Sequence, residues 1–343
     1  MMKNKASEVF YSLREKTKTT KKQITDPKKR KVLLNKGNDL FVTILKYVLL
    51  YGLAFIIIFP LIQQLAIALR EPGDINNPLV LWIPEKFSFK NFQIAYIVLD
   101  YGKSFINSVV LSTVVTFFQL IMATLVGYAL ARLKFPGHKI VFGLVVFTIV
   151  VAPTTLELPL KISLSNFWGT GINLLGSPTI LFIFALTGMG IKGGIFIYLF
   201  RQFFKGIPIE IEESAMIDGA NPFQVFLRIM LPNAMGGIIL TTVLTFVWQW
   251  NDTYFTTVYV SKINATYETL TTKIMGISGN IQSAIQQAGV WELFDQDVTK
   301  NPLFTAMILN TAAILTMIPI LVFYLIVQKR LFTEGVERSG LVG

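Results

Sequence analysis

Six stretches of this sequence are apolar over the length a bilayer demands. The hydrocarbon core of a membrane is about 30 Å thick, so a helix needs about 20 apolar residues to cross it. The stretches are 42–69, 105–130, 140–156, 179–204, 234–257 and 303–327. In hydrocarbon every backbone N–H and C=O must be paired within the chain, and runs of this length leave helices as the way to do it. Composition agrees. Of 343 residues, 53% are hydrophobic and 15% charged, with a mean hydropathy of +0.58, whereas a soluble domain carries about a quarter charged residues. The expected fold class is an all-α, polytopic membrane protein with six transmembrane helices. The fourth stretch is the least regular. Gly188, Gly190, Lys192, Gly193 and Gly194 interrupt it, so it need not be one straight helix.

Charge gives the orientation. Net charge is +11, and residues 1–39 hold twelve Lys or Arg against four Asp or Glu, so +8 of it sits in the tail. Basic residues also gather at Arg132–Lys139, at Arg201–Lys205 with Arg228, and at Lys329–Arg330. Short basic loops stay on the cytoplasmic side, and six spans put all four clusters there. Both termini are therefore expected in the cytoplasm of a multi-pass protein of the bacterial cell membrane. Loops 70–103, 157–178 and 259–301 then face outward. The last holds Glu268, Glu292, Asp295 and Asp297 against Lys262, Lys273 and Lys300. A basic tail of this kind suits anionic lipid headgroups better than nucleic acid, and no nucleic acid is expected as a partner. No apolar segment precedes residue 40, so no cleavable signal peptide is expected.

The chemistry of catalysis is missing. Cysteine is absent and His138 is the single histidine, read here as a solvated loop residue, so neither thiolate nor His-rich metal chemistry is expected. No GxxxxGK[ST], GxGxxG after a strand, HExxH or GxSxG occurs. The glycines near 188–194 suit helix packing or a helix break better than ligand binding. The expectation is a chain that is not an enzyme, with no catalytic residue, no metal and no cofactor of its own.

One loop stands apart. Between Pro208 and Pro232 lie Glu210, Glu212, Glu213 and Asp218, with Ile211, Ala215, Met216 and Ile217 as an apolar stripe. Acidic residues in a first turn complement the helix dipole, and Gly219 is placed as a C-cap glycine. Asn221-Pro222 restarts a helix with proline at its first position. Phe223, Val225, Phe226, Ile229 and Leu231 give that second helix an apolar face. The residues alone leave two readings open, a docking loop and a loop resting on lipid.

The spacing Glu213-Ser214-Ala215, three residues, Gly219, nine residues, Ile229-x-Leu231-Pro232 resembles the EAA loop of permease subunits of bacterial ABC importers. Ser214 stands where the family usually has alanine. The string IPIEIEESAMIDGANPF, the motif Trp250-Asn251-Asp252 and the ending QKRLFTEGVERSGLVG resemble the carbohydrate-uptake, maltose-permease-like branch. The resemblance covers about 40–343. It implies the type I ABC importer permease fold, with a basic cytoplasmic tail 1–39 and a permease domain 40–343. Loop 205–232 would be the cytoplasmic coupling loop, and 259–301 the outer loop that meets a solute-binding protein. It also implies partners: a second permease subunit, a heterodimer being expected, a cytoplasmic ATPase dimer that carries the ATP and magnesium, and an extracytoplasmic solute-binding protein. Glu210, Glu212, Glu213, Ser214, Ala215, Asp218, Gly219, Ile229, Leu231 and Pro232 would form the ATPase-coupling loop. Glu213, Ala215, Asp218 and Gly219 would lie at the contact itself.

For the substrate path, Trp248, Gln249, Trp250, Asn251 and Tyr254 combine stacking rings with polar groups, as sugar sites do. An interfacial aromatic belt is the simpler reading of the tryptophans. Lys192 inside a span is a functional candidate and would favour an anionic solute such as an acidic oligosaccharide. An importer of a non-sugar solute, a stand-alone secondary transporter and a membrane scaffold are the competing classes. The secondary transporter lacks carboxylates at mid-span, since Glu157 sits at an end.

Overall fold

The computed structural model describes residues 27–72, 84, 86–260, 267–279, 281–288 and 302–337. Most of the basic tail, Lys262, Glu292, Asp295, Asp297 and Lys300 of the expected outer loop, and the last six residues lie outside the described residues. Among the described residues the secondary structure is helical apart from one isolated bridge, Arg70 to Phe87. The chain divides between Gln64 and Leu65 into two compact units. The first is carried by α1 (Pro27–Ala68), whose stretch Asn38–Ala68 is long and apolar enough to cross a membrane.

The second unit is built around α3 (Tyr101–Arg132), a straight helix of 32 residues. It follows a short helix, α2 (Lys90–Val98). Its buried face is mostly small or short: Ser104, Ser108, Ser112, Thr116, Ala123 and Gly127. Small residues let helices approach closely where lipid supplies no hydrophobic drive between them. At Gly127 the approach is closest, and a Cβ there would stand 2.6 Å from the Cβ of Phe200. Phe200 belongs to α7 (Gly193–Gly206), which packs along α3 together with α10 (Met235–Trp250).

Five helices complete the middle of the chain. α4 (His138–Val150) turns through 102° into a 3-10 turn and α5 (Glu157–Ser165). α6 (Thr179–Thr187) ends at Gly188. α8 (Ile209–Ile217) and α9 (Pro222–Asn233) lead into α10, with a bend of 75° between α9 and α10. Beyond α10 come α11 (Leu270–Gly279), α12 (Ile281–Ala288) and the long α13 (Pro302–Glu337).

Three apolar clusters hold this unit together. One joins α2, the end of α10, and α11 to α13, with Ile94, Leu99, Trp250, Leu270, Ile285 and Phe304 buried. One joins α3 and α6 to the segment after α10, through Leu111, Val115, Ile180, Phe184 and Tyr259. The third lies at the Arg132 end of α3.

The structure changes the expected set of spans. Among the described residues three helices are long and apolar enough to cross a membrane, and five if each bent pair is one span. The stretch 179–204 is not one helix. It is α6 and α7, parted at 188–192, where Lys192 adopts a left-handed backbone, φ 57°. The stretch 140–156 likewise ends as a helix at Val150, because Pro153 cannot continue it. The count of six therefore stands as a reading of apolar length rather than as six straight helices.

Candidate functional site

The loop between α7 and α10 is two short helices with a sharp turn. α8 ends in a complete Schellman closure: Ala220 N–H donates to the Ala215 carbonyl at 3.0 Å and Gly219 N–H to the Met216 carbonyl at 3.1 Å. Gly219 has φ +88°, the left-handed value that glycine adopts without strain. α9 opens with a capping box. Gln224 N–H donates to Asn221 Oδ1, and Asn221 N–H donates to Gln224 Oε1, both at 2.9 Å. Pro222 occupies the first helical position. The middle of α9, Phe226–Met230, is wound as a π-turn.

Which residues face inward differs from the amphipathic pattern. Of the stripe Ile211, Ala215, Met216 and Ile217, only Ala215 is buried; Ile217 is 86% exposed. On α9 the buried residues are Val225, Phe226 and Met230, while Phe223 is 64% exposed and Ile229 and Leu231 are half-buried. Met230 was absent from the expected face and Phe223 was wrongly included. The exposed crown of the loop is therefore apolar as well as acidic. It carries Ile217, Asp218, Gly219 and Phe223, with Glu210, Glu213, Ser214 and Pro232 exposed on its flanks.

Ala215 and Glu212 are corrected in another way. Ala215 is expected at the contact and Glu212 in the coupling loop, and both are buried, at 8% and 6% exposure. Glu212 turns into the fold. Tyr128 Oη donates to its Oε1 at 2.7 Å, and Arg132 Nε pairs with its Oε2 at 3.1 Å. Both partners sit on α3 one turn apart, the spacing that puts two side chains on one helix face. Arg132 also donates to the Ile207 carbonyl, at the entrance to the loop.

The same end of α3 is closed by the side chains of Arg201 and His138. Arg201 Nε donates to the Leu130 carbonyl at 3.1 Å, and His138 Nε2 lies 2.8 Å from that oxygen. The last carbonyls of a helix have no partner within it, and cations near them are favoured by the dipole. Arg201 also stacks its guanidinium 3.7 Å from the centre of the Phe142 ring. His138 is thus the first residue of α4 and a half-buried one, not a solvated loop residue. In the sequence Arg132 and Arg201 belong to basic clusters and Tyr128 only falls within the second apolar stretch, so none is marked as part of the loop's seat. The spacing of Tyr128 and Arg132 on the last turns of a span was the available signal.

The residues considered for a substrate path are not gathered in one place. Trp250 is buried at 2% exposure, among Phe105 and Phe246, and its indole N–H donates to the Thr316 carbonyl at 3.3 Å. It is core, neither sugar platform nor interfacial belt. Gln249 is buried as well. Trp248 is half-buried against Phe196, ring centres 5.4 Å apart. Asn251 is exposed and turns its amide back to the Val247 carbonyl at 2.8 Å. Tyr254 donates to Glu157 Oε2 at 3.0 Å, and Lys161 donates to the other carboxylate oxygen at 2.8 Å. Asp252 accepts from the backbone of Phe255 and Thr256 and from the Thr256 hydroxyl. The Trp-Asn-Asp motif therefore terminates α10 and starts the next helical segment.

Lys192 lies elsewhere, at the mouth of a cavity of about 280 Å³. Thr148, Pro153, Leu160, Met189, Phe255 and Tyr259 are among its walls. The bend after α4 and the break between α6 and α7 both open onto it. Lys192 is exposed there, and none of residues 248–254 lines it.

No protein-family model matches the sequence. Among curated proteins, the chain is similar to the alpha-glucoside transport system permease protein of Rhizobium meliloti, 28% identical over 261 residues; the match covers 76% of this chain and 62% of that one. It is 26% identical to the trehalose transport system permease protein of Mycobacterium tuberculosis, over 83% of this chain and 93% of the relative. It is also 26% identical to the polygalacturonan/rhamnogalacturonan transport system permease protein of Bacillus subtilis, over 86% and 97%. Among solved structures it resembles a bacterial ABC transporter involved in the import of the acidic polysaccharide alginate. That match has a TM-score of 0.66 and 20% identity, and covers 85% of this chain and 97% of the other. In sequence the chain is similar to permease proteins of carbohydrate transport systems, and its multi-pass helical fold matches a chain of a bacterial ABC importer.

Proposed function

We propose that this chain is one of two permease subunits through which a sugar or oligosaccharide, delivered by an extracytoplasmic solute-binding protein, crosses the cell membrane. The second subunit is a different chain, and a separate ATPase drives the cycle. The energy enters at the turn between α8 and α9, which faces the cytoplasm together with both chain termini. One observation carries this reading above a loop resting on lipid. The turn is stiffened from within by a Schellman closure and a capping box, yet its crown, Ile217 to Gly219 with Phe223, is left bare. A rigid bare tip of mixed apolar and acidic groups suits a cleft on another protein.

Gly219→Asp tests it. Aspartate accepts a left-handed backbone better than most residues, and a side chain there meets nothing within 4 Å. The variant therefore changes the tip without a steric clash, at a backbone strain that Glu213→Lys does not incur. The expected result is a folded permease that no longer retains the ATPase on purification, with uptake lost; Glu213→Lys is expected to behave alike. Retention of the ATPase and full uptake in both variants would overturn the assignment.

A second reading concerns the solute. Among the described residues Lys192 is the one lysine lining the cavity at the helix break, and a structural neighbour named for alginate import and a relative named for polygalacturonan transport make an acidic oligosaccharide the favoured class. Lys192→Glu is expected to abolish uptake of an acidic oligosaccharide and to spare a neutral one. Equal uptake of both by the variant and the parent would remove Lys192 from the pathway.

A further inference from the structure

We infer that Glu212 is a positioning residue that yokes the coupling turn to α3, so that displacement of the turn is delivered to that helix. The inference rests on the coupling reading above and names the part that carries it inward. Four carboxylates lie on or beside α8, and three of them, Glu210, Glu213 and Asp218, are exposed. Glu212 alone is buried, and both of its oxygens are held by residues of α3, Tyr128 at 2.7 Å and Arg132 at 3.1 Å. The two side chains of the ion pair are 10% and 8% exposed, so water screens it little.

The same two α3 residues also hold the rest of the loop. Arg132 donates to the Ile207 carbonyl ahead of α8. The Tyr128 ring packs on Phe226 of α9, ring centres 5.1 Å apart, and on Phe204 of α7 at 5.7 Å. Tyr128 therefore touches both limbs of the loop, one through its hydroxyl and one through its ring. A loop joined to its support only by apolar contacts can slide on them, because such contacts have no direction. A buried carboxylate that accepts a hydrogen bond on one oxygen and is ion-paired on the other has a fixed direction and distance. Displacement at Gly219 must then either move α3 or pull a charge away from its partners.

The experiment uses the assembled complex with its ATPase, in liposomes, and reads solute taken up per ATP hydrolysed. Glu212→Gln removes the ion pair, and Tyr128→Phe removes one hydroxyl while leaving the ring on Phe226. Both variants are expected to retain the ATPase on purification while uptake per ATP falls by about fivefold or more. The exchange Glu212→Arg with Arg132→Glu is expected to restore part of the ratio. An unchanged ratio in both single variants, with the ATPase retained, would overturn the yoke and leave the coupling reading intact. A fall in yield and melting temperature with the ratio unchanged would also overturn it, since that marks packing alone. Failure of the parent chain to retain an ATPase would overturn both.

Discussion

Glu212 shows how much a single residue's partners decide. In sequence it is one of several acids in a first helical turn, and its neighbours invite an exposed role. Its partners lie 84 positions earlier, at Tyr128, and on the next turn of the same helix. No local pattern reports a contact of that range. Removing one partner of a buried pair leaves an uncompensated charge, at a cost of about 3–5 kcal/mol, while removing both costs far less. Arg132→Met is therefore expected to lower the melting temperature of the purified permease sharply, and Arg132→Met with Glu212→Met to recover most of it. Equal loss in the single and double variants would place the stabilisation in Arg132's bond to Ile207. Trp250 teaches the same lesson: beyond Phe246 one turn back on its own helix, its ring and indole N–H are satisfied by α3 and α13, which its neighbours in sequence do not disclose. Gly219, Asn221 and Pro222 were legible because caps and turns are decided within a few residues.

At the scale of elements, the two-helix loop was legible and its facing was not. Proline and glycine positions mark where helices start and stop, but the residues of α9 that turn inward have no such marker. The capping box gives a direct test. Asn221→Ala removes the acceptor for the Gln224 N–H and is expected to weaken the start of α9 by about 1 kcal/mol. Hydrogen exchange of the Gln224 and Val225 amides should quicken, with the amides of α8 unchanged. On α10, the hydroxyls of Thr241 and Thr245 are buried without a hydrogen-bond partner among the described residues. Valine fills the same space without a hydroxyl to desolvate, so Thr241→Val and Thr245→Val are expected to leave the melting temperature unchanged or raise it. A clear fall in either would show that the hydroxyl has a partner in the assembled complex.

For the whole molecule, apolar length alone announced a multi-pass helical protein but not its joints; the break in the fourth stretch was legible instead from its glycines. A window of twenty residues averages over Pro153 and over the glycines near 188, so each broken pair counts as one span. The basic tail belongs to this scale too. Deletion of residues 2–30 is expected to lower the amount of permease in the membrane more than uptake per molecule, as an orientation signal would; normal amounts with dead transport would give the tail a partner instead. The joints and the straight helix have unequal consequences. α4 with α5 and α6 with α7 are jointed where they meet the same cavity, whereas α3 runs unbroken for 32 residues. At 1.5 Å per residue it is a rod of about 48 Å, and a tilt of about 5° about one end sweeps the other through about 4 Å. A small rotation about the Arg132 end thus displaces the far end by nearly the width of a strand of chain.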